Sequence, residues 1–148
     1  MTNTDWSRLR ELAQDRRDSC GQQLAEAATL RDAARQKLEM LLDYRREYDG
    51  RLAQTASDGI DAAKWRSYRA FLANLERAIE QQTEALGTLQ QRVSDVQARW
   101  RDEQRQVDSF RILDQRRRAE EVRSSGRRDQ KLTDEFAARG LLPVGGAD

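Results

Sequence analysis

The side chains that most often carry catalysis are scarce in this sequence. It has no histidine, which removes the commonest general base, proton shuttle and metal ligand. Its single cysteine, Cys20, excludes an internal disulfide and a cysteine-based metal site. The eight glycines are scattered, and none forms the glycine-rich loop that cradles nucleotide phosphates. What remains is recognition chemistry: three Trp, three Tyr and three Phe among 27 basic and 26 acidic residues. The expectation is a protein that is not an enzyme, with no catalytic residue, no cofactor and no metal.

The elements that must position these side chains are legible from periodicity. Between Trp65 and Phe110 one column reads Trp65, Leu72, Ile79, Leu86, Val93, Trp100 and Val107. A second reads Tyr68, Leu75, Gln82, Leu89, Val96, Glu103 and Phe110. Twelve of the fourteen slots are apolar or aromatic, and no stutter interrupts them. A seam repeating every 3.5 residues keeps facing one partner only in a left-handed coiled coil. Upstream, Trp6, Ala13, Cys20, Ala27, Ala34, Leu41 and Tyr48 form another such column, which puts the Cys20 thiol on a seam. Its companion wobbles between adjacent positions: Leu9, Leu24, Leu30, Leu38, Tyr44 and Leu52.

These columns predict an all-α fold, a long two-helix antiparallel coiled-coil hairpin. A polar start occupies residues 1–3, and Thr4 is a candidate N-cap with Asp5 in the first turn. Helix 1 is expected over 4–54, with Gly50 near its end. Residues 55–61 read as a turn in which Gly59 can take positive φ and Asp61 caps the next helix. Helix 2 is expected over 62–123, a further helical segment over 124–139 after a weak break at Ser124-Ser125-Gly126, and a disordered tail over 140–148. Folding about Asp58 pairs Tyr48 with Tyr68, Leu41 with Leu75, Ala27 with Leu89, Cys20 with Val96 and Trp6 with Phe110. The second seam then pairs Tyr44 with Leu72 and Leu30 with Leu86. Two seams sharing one midpoint favour an intramolecular hairpin, hence a monomer, over a parallel dimer. One layer departs from this: Arg16 and Arg17 fall opposite Trp100. Either a guanidinium stacks on that ring while Glu103 pairs with Arg10 or Arg17, or the arginines lend only their aliphatic stems.

Helix 2 outruns helix 1, leaving a helical overhang at the end that carries the chain termini. From Arg111 to Lys131 there are eight basic and four acidic residues, a net +4. Over the whole chain the net charge is only +1, so no global field points to nucleic acid or membrane. The mean hydropathy of -0.98 and the 36% of charged residues suit a narrow two-helix seam better than a globular core. With no apolar run near 18 residues and no signal-peptide core, a cytosolic location is expected.

Three stretches resemble the flagellar export protein FliJ family. They are Leu41-Leu42-Asp43-Tyr44-Arg45-Arg46-Glu47-Tyr48-Asp49-Gly50-Arg51-Leu52 before the turn, Tyr68-x-x-Phe71-Leu72-x-x-Leu75-x-x-Ala78-Ile79-x-x-Gln82 after it, and Arg127-Arg128-Asp129-Gln130-Lys131-x-x-Asp134-Glu135-Phe136-Ala137-Ala138-Arg139 near the end. The resemblance spans about residues 4–139. It implies an antiparallel coiled coil similar to the γ subunit of rotary ATPases, acting as a stalk in the flagellar type III export apparatus. Its partners would be the hexameric export ATPase FliI, the cytoplasmic domain of the export-gate protein FlhA, and export chaperones. Through them it would lie peripherally at the cytoplasmic face of the inner membrane. The resemblance places export-gate binding on Leu41, Tyr44, Tyr48, Phe71, Leu75 and Ala78, with weaker correspondences at Lys37 and Gln82. ATPase contacts fall on Gln130, Lys131, Asp134 and Phe136.

The periodicity bears on those positions independently. Leu41, Tyr48 and Leu75 occupy seam slots, where a core role competes with a binding one. Phe71 and Ala78 flank the seam, and a narrow seam cannot enclose all these rings, so an exposed aromatic stripe is expected, led by Tyr44 and Phe71. Three other readings stay open: the equivalent stalk of a virulence-type secretion system, a generic coiled-coil spacer or homodimer, and nucleic-acid binding through the basic overhang. Four interspersed acids argue against the last.

Overall fold

Gly59 reverses the chain. Its φ of 91° lies in the left-handed region that side chains with a Cβ rarely enter, and its N–H bonds the Ala56 carbonyl at 3.4 Å to close the helix before it. Two residues on, the Asp61 carboxylate accepts the Lys64 N–H at 2.8 Å, and the Asp61 carbonyl accepts the Trp65 N–H at 3.0 Å. Asp61 is therefore the N-cap that its position in the sequence predicts.

The computed structural model describes residues 3–140. Two helices account for nearly all of them: α1, Asn3–Asp58, of 56 residues, and α2, Ala62–Ala138, of 77. No strand occurs among the described residues, and the fold is the expected all-α antiparallel hairpin with a longer second helix. The element bounds differ from the sequence expectation. Asn3 is already helical, so Thr4 lies inside α1 and is not its cap. Helix 1 runs on past residue 54 to Asp58, passing through Gly50. Ser124-Ser125-Gly126 is no break: α2 continues through it as one helix. A helical Gly costs about 1 kcal/mol, too little to interrupt a long backbone ladder. The hydroxyls of Thr29, Thr55, Thr83, Thr88 and Thr133 bond the carbonyl four residues back, which reconciles these residues with helix interiors. At the far end Gly140, with φ of 68°, donates its N–H to the Ala137 carbonyl. Of the expected polar start and tail, residues 1–2 and 141–148 lie outside the described residues.

Contacts divide the hairpin into two units. The first to consider is residues 15–103. Every α2 seam slot in it is buried or half-buried except Trp65, which is 39% exposed. Ala27 and Ala34 of α1 and Leu75 and Val96 of α2 are its buried apolar residues. Tyr48 meets Tyr68 with ring centroids 5.2 Å apart. Gln82 Nε2 donates to the Ala34 carbonyl at 3.0 Å. Both pairs are equidistant from Asp58, which is the register that folding on paper gives. Cys20 is half-buried.

The companion column of α1 does not wobble. Arg17, Leu24, Arg31, Leu38, Arg45 and Leu52, seven apart throughout, are all half-buried, whereas Leu30 and Tyr44 are 57% and 54% exposed. Those two therefore leave the seam. Half-burial with a charged head at the surface is what a long arginine stem allows, and Arg17 and Arg31 bridge Asp18 and Asp32 at 3.1 Å. At the irregular layer the Trp100 indole lies over Gly21: a Cβ there would sit 3.5 Å from its Nε1. Glu103 Oε2 is buried with no hydrogen-bond partner.

The second unit holds, of the described residues, 3–14 and 104–140. Ala13 and Val107 are its buried apolar residues. Trp6 packs on Phe110 edge-to-face, centroids 6.2 Å apart at 76°. Beyond Phe110 the seam turns polar. Asp114 and Arg117 are half-buried in the next two seam positions, and Arg10 reaches Asp114 at 3.5 Å. Arg10 thus pairs with Asp114, not with Glu103 as the sequence suggested.

Candidate functional site

The tip of the hairpin gathers more aromatic surface than its seam can cover. Tyr48, half-buried, is held between Tyr68 and Phe71; its ring lies 4.3 Å from that of Phe71 at 33°. Phe71 remains 43% exposed, and Tyr44, one turn before Tyr48, is more exposed still. Tyr44, Glu47, Tyr48, Arg51 and Phe71 line a concavity of about 420 Å³. Tyr48, Arg51, Lys64, Ser67 and Tyr68 line a second, of about 290 Å³. Aromatic side chains flanked by charge are the usual anchors of protein interfaces.

Of the six sequence candidates here, Tyr44, Tyr48 and Phe71 come together around one concavity. Leu75 is core at 7% exposure, while Leu41 and Ala78 are half-buried. Lys37 is exposed. The Gln82 side chain is committed to the seam by its bond to Ala34. Glu47 and Arg51 stand in the motif before the turn but were not expected as contacts; they form an i,i+4 ion pair at 3.3 Å on the rim. Their spacing from Tyr44 and Tyr48 was the available signal: residues three, four and seven apart share a helix face.

The second candidate surface is the part of α2 that α1 does not cover. From Arg118 to Gly140 every side chain is exposed except Ser124. Gln130 Nε2 donates to Asp134 Oδ1 at 3.1 Å, and Lys131 is exposed beside them. Phe136 is 46% exposed, with Leu132 at 52% and Val122 at 72%. Arg123 and Arg127 both bridge Glu120, at 3.4 and 2.9 Å. Such exposed local pairs add only a few tenths of a kcal/mol each. Among the described residues no cluster of side chains could hold a metal, and no helix is long and apolar enough to cross a membrane.

Fold and surfaces together define a helical-hairpin protein with two exposed surfaces, one aromatic and one an uncovered stretch of helix. The sequence model of the family described as "Flagellar FliJ protein" matches residues 5–142. The flagellar FliJ protein of Salmonella typhi is 32% identical over 134 residues, covering 90% of this chain and 91% of that one. That of Escherichia coli (strain K12) is 31% identical with the same coverage. The chain belongs to the FliJ family of flagellar proteins.

Proposed function

We propose that this protein is a non-catalytic, cytoplasmic component of the flagellar type III export apparatus, acting as a stalk. The uncovered segment of α2, with Gln130, Lys131, Asp134 and Phe136, enters the hexameric export ATPase FliI and promotes ring assembly. The aromatic face of Tyr44, Tyr48 and Phe71 contacts the cytoplasmic domain of the gate protein FlhA, and the hairpin engages export chaperones. It lies at the membrane's cytoplasmic face only through these partners. Family membership is the observation that carries this reading. The two exposed faces support it, because each offers anchors that the fold itself leaves unused. Both relatives being flagellar weighs against a virulence-type equivalent.

The test is ATP hydrolysis by the purified export ATPase, with and without this protein, alongside ring formation by electron microscopy. Stimulation that disappears on deleting residues 127–139 is the expected result. No stimulation by the full-length, folded monomer would remove the stalk role.

A further inference from the structure

Where the seam turns polar, three guanidinium groups converge on one carboxylate. Asp114 Oδ2 accepts from Arg10 Nη1 at 3.5 Å and forms an ion pair with Arg118 Nη2 at 3.2 Å, and Oδ1 accepts from Arg117 Nη2 at 3.3 Å. Asp114 is 17% exposed and Arg117 29%. With three cations around one anion, the cluster carries an excess of two positive charges. Of the carboxylates flanking it on α2, Asp108 bridges Arg111 at 3.6 Å and Glu120 bridges Arg123 and Arg127, while Glu121, one turn from Arg117, is exposed. Nε of Arg10 and Nε of Arg117 are buried with no hydrogen-bond partner. A guanidinium has five N–H donors in a rigid fork, and each of these three uses only one on Asp114 at the distances given.

The same residues line a cavity of about 200 Å³, together with Trp6, Ser7 and Phe110. Its walls thus combine three guanidinium groups with donors to spare, the one Asp114 carboxylate, a hydroxyl and two aromatic rings. That combination suits an oxyanion: the forks match the spacing of carboxylate or phosphate oxygens, and a partly enclosed site is screened less than open surface. Asp114 orients the forks and offsets only one of their three charges.

We propose that Arg10, Arg117 and Arg118, held by Asp114 against the Trp6–Phe110 pair, form an oxyanion-binding site. The ligand is a phosphate or carboxylate group, supplied either as free phosphate or as an acidic side chain of a protein partner. The inference rests on this cluster alone and is independent of the stalk reading.

The test follows the Trp6 indole N–H by NMR in the full-length protein at low ionic strength. Inorganic phosphate and a blocked tetraglutamate peptide are the two probes, with sodium chloride at matched ionic strength as control. A saturable shift with at least one probe, absent with chloride, is expected. The probe that binds more tightly identifies the source of the oxyanion. Binding should weaken at least tenfold in Arg117→Gln and several-fold in Arg118→Gln. Arg118 is 69% exposed, so its removal does not disturb packing. Absence of saturation with both probes, reproduction of the shift by chloride, or unchanged binding in the Arg118→Gln protein with its helicity intact would overturn the proposal.

Discussion

Gln82 reaches across the hairpin and donates its amide N–H to the carbonyl of Ala34. That carbonyl already belongs to an α1 hydrogen-bond ladder, so the bond is an addition rather than a rescue. A polar residue flanked by apolar seam layers, as Gln82 is by Leu75 and Leu89, is the usual device for fixing register and helix number, at some cost in stability. Gln82→Leu should therefore leave thermal stability unchanged or raise it by up to about 1 kcal/mol, while admitting dimers or shifted registers. Circular dichroism melts and sedimentation measure the two effects. A clear loss of stability would mean that the bond is a net contributor.

The tip separates core from surface within a few residues. Leu75→Ala should cost about 2 kcal/mol or somewhat more, since it empties a buried slot that a narrow seam can partly close. Phe71→Ala removes a half-exposed ring and should cost about 1 kcal/mol or less. If the tip is the gate surface, Phe71→Ala nonetheless weakens FlhA binding by tenfold or more while leaving stimulation of the ATPase intact. Equal loss of both activities would indicate misfolding instead.

Gly87 and Gly126 lie inside α2, and a Cβ at either meets nothing within 4 Å. Substitution by Ala should stabilise the helix locally by about 0.5–1 kcal/mol at each position. Gly87→Ala should raise the main melting transition. Gly126→Ala should raise only the helicity of the uncovered segment. If Gly126→Ala shifted the main transition as much, the segment would be coupled to the rest of the hairpin.

Helix without tertiary cover is marginal. Limited trypsin digestion should therefore cut first between Arg116 and Lys131, before Arg45, Arg46 or Arg92. Simultaneous cleavage at Arg45 or Arg92 would contradict this order.

Much of the hairpin could be read from the chain alone. The α2 columns, the turn at Gly59 and Asp61, and the pairings of Trp6 with Phe110 and Tyr48 with Tyr68 all follow from spacing and small-residue chemistry. The α1 companion column was misread because only apolar letters were counted. Arg17, Arg31 and Arg45 are half-buried in the slots seven residues apart, whereas Leu30 and Tyr44, one position off that column, are exposed. The exposure of Tyr44 beside Phe71, expected because a narrow seam cannot enclose every ring, is what completes the concavity. The polar continuation at Asp114 and Arg117 escaped for the same reason. Ser124-Ser125-Gly126 looked like a break because composition alone cannot weigh a modest local penalty against an uninterrupted ladder.

Alanines on one side of the seam and arginine stems among its leucines leave little hydrocarbon to expose on unfolding. The heat capacity of unfolding scales with apolar area, so it should be small for a chain of this length. The stability curve is then shallow: the hairpin gains little on cooling and loses little on moderate warming. Its calorimetric transition should be broad, set by backbone ladders more than by the release of ordered water.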